Sequence, residues 1–183
     1  MKTEPRQHIL RLTVAALGTA LVCICTRVFQ FPIPLGYAHL GNCMILLFAV
    51  YFDPFVGAFA GGVGSSLADL LSFPEWAVPT LIIKSLMGFA AAIIAKKRGR
   101  QAVLRSPRTF LAAVSAIIIM VVGYFLGGSV LYGSVVTGAT QIPGLAAEGV
   151  VGIVLFYVIA AALEATGILK RLTRIVSGRE NAK

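Results

Sequence analysis

Apolar residues in this chain come in runs about as long as a bilayer is thick, and polar residues collect between them. The first run, Ile9 to Phe29, predicts a membrane-spanning helix at about 1.5 Å per residue. A loop over 30–40 follows, held extended and out of helix by Pro32 and Pro34. Residues 41–52 are too few to span comfortably alone. With Tyr37–Leu40 as a lead-in they predict a short or tilted second helix. Asp53-Pro54 predicts a tight turn, with Asp53 capping a third helix from Phe55 to Leu71 and Pro54 at its first position. Ser72–Thr80 holds Pro74, Glu75, Trp76 and Pro79, and predicts an outer turn with an interfacial tryptophan. The fourth helix covers Val78 to Ala95 and the fifth Thr109 to Leu131. An outer loop of Gly, Thr, Pro and Gln runs on to Leu145, and the sixth helix covers Ala146 to Leu169.

Small residues mark where these helices touch. Gly57, Gly61 and Ser65 recur every fourth position on the third helix, as do Ala60, Gly64 and Ala68. Such rows cost helix propensity in water but allow close helix contact in a membrane. Ala16 and Ala20 form a small-x-x-x-small unit on the first helix.

Composition and charge sharpen the class. Hydrophobic residues make up 58% of the 183 residues and charged ones only 13%, which places the chain among integral membrane proteins. The formal charge of +9 would suit a nucleic-acid binder if it were clustered on a soluble face. Instead Lys2, Arg6, Arg11, Lys96–Arg108 and Lys170–Lys183 flank the apolar runs, a positive-inside pattern. The expectation is a single all-α domain over 1–183 with six transmembrane helices and both termini cytoplasmic. Residues 1–8 and 170–183 are tails, and 96–108 is a basic cytoplasmic loop. The basic start and first apolar run read as a retained helix rather than a cleaved signal peptide. Cys23, Cys25 and Cys43 lie in or beside apolar runs without C-x-x-C spacing and read as structural thiols.

The remaining polar residues are the candidates for function. Lys84 falls about two turns inside the fourth helix, where a lysine is expensive unless paired or hydrated. Asp69, a turn inside the third helix, is its natural partner. The two form either a structural ion pair or part of a water-accessible pocket. Glu148 near the start of the sixth helix suits both the helix dipole and a ligand contact. Glu164, near the other end of that helix, either snorkels or pairs with the cytoplasmic basic residues rather than serving as a ligand. His39 and Asn42 sit where the loop enters the second helix, where Asn42 can serve as a cap and His39 as a surface residue. Tyr37, Trp76, Tyr124, Phe125 and Tyr132 concentrate in the outer half, as an interfacial belt or as a stacking surface for a flat heterocycle. No H-E-x-x-H, G-x-S-x-G, paired-carboxylate, metal-ligand or nucleotide-binding pattern is present, so neither catalysis nor a cofactor is expected. Active transport would need a separate ATPase.

Three linked motifs carry a resemblance: R-x-x-x-F-P-I-P-x-G-Y-x-x-L-G-N from Arg27, F-D-P-F-V-G-A-F-A-G-G-x-G-S-x-L-A-D from Phe52, and P-T-L-I-I-K-S-L-M-G from Pro79. Together they resemble the substrate-binding S components of energy-coupling factor (ECF) vitamin transporters, in the group with riboflavin-type and hydroxymethylpyrimidine- or pyridoxine-type members. The similarity covers the first four helices; the last two match in length and hydrophobicity. It implies a six-helix S-component fold in a prokaryotic plasma membrane, with a pocket opening outward. It also implies a membrane-embedded coupling subunit (T component) and two ATPase subunits as partners. Ala16 and Ala20 match the family's docking motif for the coupling subunit. The family often carries aspartate where this chain has Asn42, which removes a charge at the pocket mouth.

Residue chemistry then selects among vitamins. A single tryptophan, Trp76, excludes a cation cage built of several. Lys84 and Arg27 favour a neutral or partly anionic ligand with oxygen acceptors. A hydroxymethylated pyrimidine or pyridine fits, bound by Lys84, Asn42, Tyr37, His39, Asp69, Trp76, Tyr124, Glu148 and Arg27. Riboflavin is the alternative within the class, and a non-transporting membrane scaffold the alternative outside it.

Overall fold

The structure, a computed structural model, describes residues 4–33, 36–96 and 104–176. Pro34, most of the basic 96–108 loop and both chain ends lie outside the described residues. The chain opens with α1 (Glu4–Val28), then a hairpin of β1 (Gln30–Ile33) and β2 (Gly36–His39). Next come α2 (Gly41–Tyr51), α3 (Pro54–Leu70), a 3₁₀ turn at Pro74–Trp76 and α4 (Ala77–Ala95). The rest is α5 (Pro107–Leu131), the short α6 (Val135–Ala139), α7 (Ile142–Ala165) and α8 (Ile168–Val176). Among the described residues, four stretches are long and apolar enough to cross a membrane: Pro5–Val28, Pro74–Ala95, Pro107–Leu131 and Val135–Ala165. α2, with 11 residues, and α3, with 17, are shorter.

Two expectations change. Tyr37–Leu40 does not lead into α2 as helix: Tyr37 pairs with Pro32, Ala38 with Phe31 and His39 with Gln30 in an antiparallel hairpin. The extended backbone that Pro32 favours pairs with the segment after it, and a two-stranded edge tolerates a residue without an N–H. Trp76 is buried against Tyr124 and Tyr132, with ring centroids 5.4 and 6.2 Å away. The last long helix runs from Ile142 to Ala165 rather than from Ala146 to Leu169. Gly167 adopts φ 73°, a left-handed conformation that ends the helix and lets α8 start in a new direction.

α2 is the central strut. It touches α1, α3, α4 and α7, and Gly41 to Cys43 and Ile45 to Val50 are all buried. A helix apolar on every side belongs inside a bundle. α3 packs most extensively on α4 and then on α1, and its two small-residue rows serve different neighbours. On one row a Cβ at Gly57 would lie 2.8 Å from the Gly88 carbonyl of α4. On the other, a Cβ at Gly64 would lie 2.7 Å from the Thr19 carbonyl of α1. These backbones pass too closely for any side chain, so the glycines set the interhelical distance.

The α2–α3 turn is tied to α1. Asp53 caps α3 by accepting from Val56 N at 3.0 Å, as its position predicts. It also receives a two-pronged Arg11 guanidinium, Nε to Oδ2 at 2.7 Å and Nη2 to Oδ1 at 2.9 Å. The same guanidinium lies 4.7 Å from the Phe55 ring centre. Burial pushes the Asp53 carboxyl up, but the Arg11 and Val56 hydrogen bonds and the Arg11 and Lys96 charges bring it below its ordinary value. A lowered folded pKa contributes stability above the unfolded value, near 4, and loses it as pH falls through the folded one. The thermal midpoint in detergent is therefore expected to drop on acidification below about pH 4. Arg11→Gln should cost about 1 kcal/mol at neutral pH, since the pair is partly exposed, and should flatten that acid slope. An unchanged acid slope in Arg11→Gln would show that the pair is not its source.

Candidate functional site

Lys84 is the largest wholly buried side chain among the described residues, at 0% exposure. It reaches the middle of the bundle because α4 presents it on the face turned toward α2 and α5. There Lys84 Nζ donates to Asn42 Oδ1 at 2.6 Å and to Met120 Sδ at 3.1 Å. Asn42, in the first turn of α2, passes the contact on: its Nδ2 donates to Glu148 Oε1 of α7 at 2.6 Å. Glu148 Oε1 is also 3.8 Å from Lys84 Nζ, so the ammonium and carboxylate balance each other with the amide between them. The Asn42 amide orientation follows from its partners, because a flip would set oxygen against carboxylate and nitrogen against ammonium. The same geometry accounts for an asparagine here rather than an aspartate. A carboxylate at this position would face Glu148 at hydrogen-bond distance and could not stay ionised beside it.

His39, the last residue of β2, completes the cluster. Its Nδ1 accepts from Gly41 N at 3.1 Å, which places the neutral ring's proton on Nε2. Burial, and secondarily the Lys84 charge, hold the imidazole well below its ordinary pKa, so it stays neutral. Nε2 points at Glu148 Oε1 from 3.6 Å, beyond hydrogen-bond range. Gly41 makes the approach possible, since a Cβ there would fall 2.9 Å from His39 Nδ1. Thr26 of α1 approaches the same nitrogen at 3.5 Å.

A second group lies toward Tyr37. Tyr37 donates its hydroxyl to Asp69 and stacks obliquely on Phe73, with centroids 5.4 Å apart. Thr80 and Tyr124 share a hydroxyl hydrogen bond of 2.9 Å, and the Tyr124 ring centre is 5.3 Å from Lys84 Nζ. Trp76 packs on Tyr124 and donates Nε1 to the Tyr132 hydroxyl at 3.3 Å.

Against these facts, the sequence-based site divides. Lys84, Asn42, Glu148 and His39 converge, and Tyr124 joins them through its ring face. Asp69 is buried but binds Tyr37, so the direct carboxylate partner of Lys84 is Glu148 and not Asp69. The reason is reach: Asn42 draws the ammonium toward α2 and α7. Arg27 stays exposed beside Gln30 and is not part of the cluster. Glu164 accepts from the Tyr51 hydroxyl at 2.5 Å. Met120, Thr80 and Thr26 were missed. Thr80 had a signal, a polar residue one turn before Lys84 on the same helix face; a methionine in an apolar run has none.

Beside the cluster a pocket of 230 Å³ opens between the hairpin and α7. Phe31, Ala38, Leu40, Ala147 and Val151 supply its apolar walls, and the buried His39 and Glu148 border it, so its surface is almost wholly apolar. Ala16 and Ala20 are exposed on α1, while Ala15 and Val22 point into the core.

Comparison with known proteins agrees with this architecture. Residues 6–165 match the family model for the ECF-type riboflavin transporter, S component. The thiamine precursor transporter HmpT of Lactococcus lactis subsp. cremoris is 32% identical over 179 residues, 92% of this chain and 96% of that protein. An uncharacterized protein of Pyrococcus woesei is 42% identical over 114 residues, 61% of this chain and 74% of that one. The solved S component of a bacterial ECF transporter shares the fold, with a TM-score of 0.62 at 19% identity over 90% of this chain and 98% of its own. A family match across nearly all the membrane helices, and a relative matched almost end to end, make this chain a membrane-embedded S component of the ECF transporter family.

Proposed function

We propose that this S component captures a small hydroxymethylated pyrimidine or pyridine, a vitamin precursor such as hydroxymethylpyrimidine or pyridoxine. The observation that carries the reading is the juxtaposition of the buried Glu148 and His39 at the edge of a 230 Å³ pocket whose walls are otherwise apolar. Both side chains are nearly fully buried, and at 3.6 Å they do not satisfy each other. A carboxylate acceptor beside an N–H donor complements a ring edge that offers an amino or hydroxyl hydrogen next to a ring nitrogen. Lys84 and Asn42 hold Glu148 in place. The pocket is below the roughly 300–1,000 Å³ of drug-sized sites, so it suits one substituted ring and is tight for a three-ring flavin. The relative carrying a thiamine-precursor name supports the same choice, while the riboflavin description of the family model keeps riboflavin as the competing ligand.

In this reading, α2 and α3 complete a six-span bundle, with the hairpin on the outer side and both termini in the cytoplasm. A coupling subunit would dock on the exposed Ala16–Ala20 face, and two ATPase subunits would drive uptake. The exposure of both alanines supports that assignment.

Three outcomes test the reading. Titration of the purified subunit with hydroxymethylpyrimidine, pyridoxine, riboflavin and thiamine should give tight binding of one single-ring compound. Glu148→Gln should weaken it about 10- to 100-fold, the worth of one charge-assisted hydrogen bond. Selective riboflavin binding would keep the class and overturn the substrate, and a scaffold would bind none of the four. Lys84→Met should abolish binding and lower stability by about 3–5 kcal/mol, because Glu148 is left buried and unpaired. Adding Glu148→Gln should restore most of that stability without restoring binding. Equal stability of the single and double variants would mean that the two charges are not coupled. Finally, Ala16→Trp with Ala20→Trp should abolish uptake in cells while ligand binding by the isolated subunit persists; intact uptake would refute the docking face.

A further inference from the structure

The segment after α7 contributes no residue to the Lys84 cluster or to the pocket beside it, yet it has a defined structure of its own. Gly167 breaks the helix, and Thr166 Oγ1 accepts from Ile168 N at 3.4 Å to start α8. Along α8, Lys170, Arg171 and Arg174 fall on one face, and Ile168, Leu169, Leu172 and Val176 on the other. Leu169 and Thr173 are buried, Val176 packs on the core, and α8 touches both α1 and α7. The helix is therefore docked and holds its cations in a set direction. Ile168 and Leu172 stay exposed on the apolar side, so α8 has the amphipathic pattern of a helix suited to the boundary between hydrocarbon and water. On its polar side, Gly167, Lys170, Arg171, Arg174 and Ile175 line a recess of 300 Å³.

We propose that this recess binds the phosphate of an anionic phospholipid headgroup, with the acyl chains lying against Ile168 and Leu172. Lys170 and Arg171 supply the charge and the donors, since Arg offers a planar fork for phosphate oxygens and Lys a mobile ammonium. A lipid is favoured over a soluble anion because the recess borders an apolar face rather than facing open water on all sides. Topology alone would be served by basic residues scattered anywhere in the tail. A glycine break followed by a docked helix that gathers three of them around one recess is a more specific arrangement.

The test uses the full chain in a non-ionic detergent and native mass spectrometry of bound lipid. Short-chain phosphatidylglycerol is compared with phosphatidylcholine of the same chains and with inorganic phosphate. Phosphatidylglycerol should bind at least about tenfold more tightly than phosphatidylcholine. Removing one charge should weaken it about fivefold and removing both about thirtyfold, so Lys170→Gln and Lys170→Gln with Arg171→Gln should fall in that order. Both variants should keep the unliganded thermal midpoint, because these side chains are exposed. Equal binding of the two lipids, or undiminished phosphatidylglycerol binding by the double variant, would overturn the proposal. Inorganic phosphate that displaces phosphatidylglycerol at equal concentration would reassign the recess to a soluble anion. Loss of assembly with the coupling subunit, with lipid binding unchanged, would make this face a protein contact instead.

Discussion

An ammonium group in the middle of an apolar bundle costs several kcal/mol unless a carboxylate and hydrogen-bond acceptors meet it there. That constraint governs how the helices of this protein are assembled around Lys84. Asn42 from α2, Met120 from α5 and Glu148 from α7 each reach the same point, and His39 closes it from the hairpin. None of these groups is satisfied by its own helix. The cluster therefore acts as a registration device, because sliding any one helix by a turn would leave a charge or an amide without its partner.

The shortness of α2 belongs to the same design. A long helix would carry its N-terminus past the centre of the site, whereas an 11-residue helix ending at the Asp53 turn places Asn42 and Gly41 directly beneath the hairpin. Glycine rows on α3 let α1 and α4 close around this short strut, so the bundle stays filled although two of its helices are brief. At the opposite end, Arg11 clamps the α2–α3 turn through Asp53. The site end carries a buried, fully partnered cluster beside an open pocket. The turn end carries a half-exposed ion pair. The proposed recognition site lies at the first, where held polar groups and a pocket occur together.

Much of this was legible in the amino-acid sequence. Apolar runs bounded by prolines and basic residues located every long helix to within a few residues, because removing a helix from water depends on composition and length alone. The Asp53-Pro54 cap and the two small-residue rows of α3 were likewise local or periodic signals, and Lys84, Asn42, His39 and Glu148 stood out as polar residues in apolar surroundings. What the tertiary structure decided was which of these residues meet. Asp69 lies only 15 positions before Lys84 and was the natural partner, yet Glu148, from the far end of the chain, is the one in contact. The hairpin came from pairing between two extended segments that sequence marks only as non-helical, and Trp76 went inward because two tyrosines offered it a buried surface. Burial and helicity are properties of a segment and its solvent, so they can be read along the chain. Partner choice is a property of how several segments pack at once, and that emerges only in three dimensions.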